Sequence, residues 1–210
     1  MTTTAPPRAT RPDRGWLVPA GLLALGAVPV IAGAFRLGDP GDGGAPLVAH
    51  IIGAGGYAVL GAFQFAPRFR ARRRRWHRVA GRLTVLCGLA AALSGLWLTL
   101  VPFRQADAAA LLTGTRLVFG ALWALFLVLG VVAARRRDVA GHRAWMTRAY
   151  AVGLAAGTQV FTLGLGTAVL GHLDRTAEAL LMLAGWLVNV AVAERAVRRS
   201  RTTPNPVEAR

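Results

Sequence analysis

The 210-residue chain has no lysine, one cysteine, two tyrosines and nine acidic residues. A single cysteine excludes an internal disulfide, and with it a secreted disulfide scaffold. Cys87 falls inside an apolar run and reads as a small packing residue. Charged residues make up 16% of the sequence, where a soluble domain carries about 25%. The signatures of soluble enzymes are missing as well: no G-x-S-x-G elbow, no P-loop, no H-E-x-x-H and no cysteine pair. These absences rule out a soluble enzyme and a disordered chain.

What the sequence does have is apolar length and arginine. It is 54% hydrophobic with a mean hydropathy of +0.46. The charges are clumped, and between the clumps lie runs long enough to cross a bilayer core of ~30 Å. Six spans are expected, at 16–35, 47–66, 83–102, 117–134, 149–171 and 179–193. The expected fold is all-α: a polytopic membrane protein with a bundle of six transmembrane helices, both termini cytoplasmic. The membrane domain would cover 16–195, with disordered tails at 1–15 and 196–210. A cleaved signal peptide is the rival for the first span, because Ala32-Gly33-Ala34 resembles a cleavage site. Its apolar stretch is longer than the usual ~7–15 residues, so a retained helix is expected.

All 25 cationic residues are arginine, and the net charge is +16. In a soluble chain that charge would point to nucleic acid. Here the arginines flank apolar spans, so no nucleic-acid partner is expected. With the N-terminus inside, 21 arginines fall in the tails and in the loops after spans two and four, and 4 fall in the other loops. That asymmetry predicts an inner (plasma) membrane protein with the arginine-rich face in the cytoplasm, against anionic headgroups. Exclusive use of arginine also suggests a GC-rich bacterial source.

Polar residues within the spans are sparse enough to sort by face. His50, Tyr57 and Gln64 recur every seven residues on span two, with Gly53 and Gly61 between them. Such a stripe is expected to face protein, since lipid supplies no hydrogen-bond partner. His77, Gly81, Thr84, Gly88, Ala91 and Gly95 share a side of span three. On span five, His142, Ala149, Gly153, Ala156, Gln159 and Thr162 do the same. Span six contributes Asn189 and Glu194, whereas span four has only the indole of Trp123 and reads as lipid-facing or purely packing. The inner half is therefore expected to gather His77 and His142 with Arg78, Arg82, Arg143, Arg148 and Glu194. Ionisable groups at such depth are functional candidates, although arginines there also anchor to headgroups. For Tyr57, Gln64, Gln159 and Asn189, interhelical hydrogen bonding is the expected role. The two arginine-rich hairpins, each with a His-Arg pair, also suggest a parallel internal repeat.

Several of these motifs occur together in one family. They are Gly61-Ala62-Phe63-Gln64-Phe65, His77-Arg78-Val79-Ala80-Gly81-Arg82, His142-Arg143-Ala144-Trp145-Met146 and the late Trp186, Asn189 and Glu194. With His50, their order and spacing resemble the bacterial multi-pass membrane proteins of domain-of-unknown-function family 2306, over 47–195. The resemblance implies a multi-pass membrane protein and no particular activity; His172 has no counterpart in that pattern.

Three functions fit these residues. The first in weight is an assembly, regulatory or lipid-interacting membrane component. The second is a b-type haem protein for electron transfer, with His77 and His142 at equal depth as axial ligands and their arginines on the propionates. The third is a small proton-coupled transporter, with His50 and the span-two stripe along a path. The sequence assigns no catalytic residue, no metal and no oligomeric state.

Overall fold

The computed structural model describes residues 16–66, 73–101 and 110–202. They form seven α-helices: α1 Leu17–Arg36, α2 Gly44–Gln64, α3 Arg74–Leu100, α4 Ala110–Arg135, α5 Val139–Gly153, α6 Ala155–Leu170 and α7 Arg175–Thr202. A 3-10 turn at Gly41–Gly43 leads into α2. No strand occurs among the described residues. α5 and α6 are halves of one crossing, so the described residues contain six helical segments long and apolar enough to span a membrane.

Most helices outrun their apolar windows. α3 starts at Arg74 rather than 83, the fifth span at Val139 rather than 149, and α7 ends at Thr202 rather than 193. The backbone must stay hydrogen-bonded through the interface, and arginine stems can lie along the bilayer edge with their heads in water. Residues 1–15, 67–72, 102–109 and 203–210, which include most of the expected tails, lie outside the described residues.

The side chains are sorted by size rather than by polarity. Large apolar groups point outward, among them Phe35, Leu165 and Val169, the last 72% exposed. The interior is lined by alanine and glycine around a cluster of Tyr57, Trp123, Leu127 and Tyr150. In lipid there is no hydrophobic gain in turning leucine inward, and close backbone approach decides the packing instead. α2 meets α3 at Gly53, where an added Cβ would lie 2.8 Å from the Cys87 carbonyl oxygen and 2.9 Å from the Ala91 nitrogen. Cys87 packs in this interface, its Sγ 2.8 Å from where a Cβ on Gly56 would be.

Of the two roles expected of α4, lipid-facing or purely packing, the structure shows packing. It packs against α3, α5 and α7, with Leu127 completely buried and Phe119 and Trp123 nearly so. A helix apolar all round suits either lipid or protein neighbours, so periodicity alone could not place it. α1 packs on α2 and α6; Leu25 of α1 sits against Gly157 so closely that a Cβ there would overlap the Leu25 carbonyl.

The fifth crossing breaks at Leu154 without a proline. Gly153 and Gly157 flank the break, and glycine weakens a helix by about 1 kcal/mol relative to alanine. Asn189 of α7 reaches in: its Nδ2 donates to the Ala151 carbonyl at 2.9 Å, and its Oδ1 accepts from the Thr158 hydroxyl at 2.7 Å. One side chain thus bonds both halves of the crossing across the break, a recognised cause of a kink.

Candidate functional site

The candidate residues fall at two levels of the bundle. The first is the arginine-rich end, where α3 and α5 begin and α4 and α7 end. The α4–α5 turn is tight: Arg137 takes a positive φ of 62°, and the Asp138 carboxylate caps α5 by accepting from the Gly141 N–H at 2.8 Å. This turn places His142 beside α4, with its Nδ1 2.8 Å from the Gly130 carbonyl oxygen. A carbonyl can only accept, so Nδ1 carries the proton. Arg148 and Glu194 form a bidentate pair, with Nε to Oε1 at 2.5 Å and Nη2 to Oε2 at 2.9 Å. The Arg148 guanidinium also lies 4.9 Å from the Trp145 ring centroid.

Not all of the expected set gathers there. Arg78, Arg82 and Arg143 are exposed, while Arg148 is drawn in by Glu194. His77 is half-buried in the first turn of α3. α3 and α5, which carry His77 and His142, share no substantial interface; α4 packs against both. Gln64 lies over Gly81 of α3, with its Oε1 3.7 Å from where a Cβ would be. His172 is exposed in the turn after α6.

The second level is a cavity of about 360 Å³ in the opposite half, bordered by α2, α3, α4, α6 and α7 and by the end of α5. Its polar groups are His50, Thr99, Arg116 and Gln159, and Phe119, Trp123 and Trp186 form its aromatic walls. His50 and Arg116 each lie six residues inside their helix ends, a depth of about 9 Å at 1.5 Å per residue. His50 Nδ1 bonds the Ala91 carbonyl at 2.8 Å. Thr99 gives its proton to the Gly95 carbonyl, and Gln159 Nε2 donates to the Met182 carbonyl at 3.0 Å. Arg116 is half-buried and interacts electrostatically with Glu178 in the first turn of α7. Phe119 and Trp186 are stacked, their centroids 4.8 Å apart and their planes 2° from parallel.

Gln159 and Asn189 make the interhelical hydrogen bonds expected of them. Tyr57 is chiefly a packing ring, edge-on to Trp123 at 5.1 Å and tilted on Tyr150 at 5.4 Å. The long-range tyrosine bond belongs to Tyr150, whose hydroxyl donates to the Ala58 carbonyl at 2.7 Å. Arg116 lies just before the expected start of span four, at 117, and so reads from the sequence as one of the four arginines of the other loops. The signal was available: Arg116, Gly120 and Trp123 recur at helical spacing on one face. Among the described residues, no three His, Cys, Asp or Glu side chains are grouped to hold a metal ion.

No curated protein and no solved structure matches the chain. The family model of the predicted membrane proteins DUF2306 matches residues 47–197, from α2 through most of α7, and so takes in both the cavity and the arginine-rich end. With six helical spans and a match over more than half its length, the chain belongs to this membrane protein family, whose activity is unassigned.

Proposed function

We propose that the chain is a non-catalytic, lipid-interacting component of the plasma membrane that binds a small amphipathic molecule between its helices. The cavity between α2, α3, α4, α6 and α7 carries this reading. Its volume of about 360 Å³ lies at the small end of the ~300–1,000 Å³ typical of ligand sites. Like those sites, it combines apolar walls with a few convergent polar groups. The exposed Arg78, Arg82 and Arg143 suit the opposite end to the anionic headgroups of the cytoplasmic leaflet.

Native mass spectrometry of the protein released from its own membranes tests the cavity. Wild type should retain a small bound species that Ala156→Phe, which puts a ring into the open volume, loses. Identical spectra for the two would count against the reading. Orientation is tested on a Cys87→Ser background with a new cysteine at Arg199 or Asp174. In intact cells, a membrane-impermeant maleimide should label only the Asp174 site.

A further inference from the structure

The polar groups around the cavity differ in what they can still offer a ligand. Arg116 has only donors and lines the cavity half-buried. His50, with its Nδ1 proton on the Ala91 carbonyl, presents a lone pair at Nε2 when neutral. That nitrogen makes no hydrogen bond among the described residues. The Thr99 proton is used on Gly95, which leaves its oxygen as an acceptor. Gln159 uses one amide proton on Met182 and keeps the other along with its carbonyl oxygen. The cavity therefore offers donors, at Arg116, the second Gln159 amide proton and the unpartnered Trp123 indole N–H, together with several acceptors. An anion would gain at Arg116 but would meet lone pairs at His50 and Thr99.

We infer that the cavity takes an uncharged aromatic headgroup bearing a hydroxyl and a second oxygen acceptor, that is, a molecule of the phenol or hydroquinone class. This rests on the cavity being a binding site, as proposed above. The hydroxyl donates to His50 Nε2 and the second oxygen accepts from Arg116. The flat walls of Phe119, Trp123 and Trp186 favour a planar ring. A volume of about 360 Å³ accommodates a ring with a short tail but not a two-chain phospholipid.

The test uses the full chain in lipid nanodiscs, with binding measured by equilibrium dialysis against empty discs. Three probes are compared: butyl 4-hydroxybenzoate, its methyl ether butyl 4-methoxybenzoate, and the anion 4-butylbenzoate. The hydroxy ester should bind about tenfold tighter than the methyl ether, the worth of one buried hydrogen bond. The preference should disappear in His50→Asn, whose amide can still donate to Ala91 but has no nitrogen at the Nε2 position. Arg116→Met should weaken the hydroxy ester several-fold. The comparison of the two esters on wild type needs no variant, so a folding defect in either substitution leaves the test intact. Equal binding of the two esters would overturn the headgroup assignment and leave the cavity reading standing. Tighter binding of 4-butylbenzoate would overturn it in favour of an anion site. No binding of any probe above empty discs would bring down both.

Discussion

Gly53→Ala tests the α2–α3 contact on which the cavity depends. In an open helix this change is favourable by up to about 1 kcal/mol, because alanine is the better helix former. At Gly53 the new methyl would lie 2.8 Å from the Cys87 carbonyl oxygen and 2.9 Å from the Ala91 nitrogen. Both are backbone atoms, so no rotamer change relieves the overlap and the helices must separate. Overpacking of this kind costs about 1–3 kcal/mol. The displaced strip of α3 includes Ala91, whose carbonyl holds His50, and losing that bond costs about another 1 kcal/mol. The net destabilisation should be about 1–3 kcal/mol, or roughly 2–12 °C in melting temperature for a chain of this size. Gly164→Ala, where a Cβ meets nothing within 4 Å, is the control and should be neutral or slightly stabilising. Melting in detergent, followed by intrinsic tryptophan fluorescence, reads both. If Gly53→Ala melted with Gly164→Ala, the inferred backbone approach would be wrong.

Asn189→Leu removes bonds to both halves of the broken crossing and should cost about 1–3 kcal/mol in the same melting assay; an unchanged melting temperature would mean that the bridge contributes nothing. The Arg148–Glu194 pair is bidentate but partly exposed, its side chains at 18% and 34%. A double-mutant cycle with Arg148→Ala and Glu194→Gln should therefore yield a coupling of about 1 kcal/mol or less, and a coupling above about 3 kcal/mol would refute the screening argument. Arg137→Gly relieves a positive φ in the α4–α5 turn and should raise stability by about 0.5–1 kcal/mol; a loss of stability would show that the arginine side chain matters more than its backbone.

The sequence carries the spans and their small-residue faces because lipid permits so few alternatives. Glycine and alanine at helical spacing mark faces where another helix can approach, and Gly53, Gly61, Gly88 and Gly153 meet one. The placing of Glu194 near the inner arginines could also be read, since it is the one acid within the closing helix besides Glu178 at its start. Depth and neighbour choice were harder to read. For α4 the lipid-facing and packing roles stayed open because apolar periodicity cannot distinguish lipid from protein. Arg116 looked like a loop charge because helices run past their apolar windows. The break at Leu154 has no proline to announce it. Its stabilising partner, Asn189, is 38 residues away from Ala151 in the chain, which makes the break a property of tertiary contact.

That break also has a mechanical consequence. A continuous helix behaves as a stiff rod, and twisting one end turns the other. The fifth crossing is instead two levers joined at Leu154. The lower lever is clamped to α4 by the His142–Gly130 bond and to α7 by the Arg148–Glu194 pair. The upper lever, which carries Ala156 and Gln159 into the cavity wall, rests on α1 and α7. Asn189, bonded to Ala151 on one lever and Thr158 on the other, ties the two together at the joint, so the stiffness a continuous helix would supply comes instead from a side chain of α7.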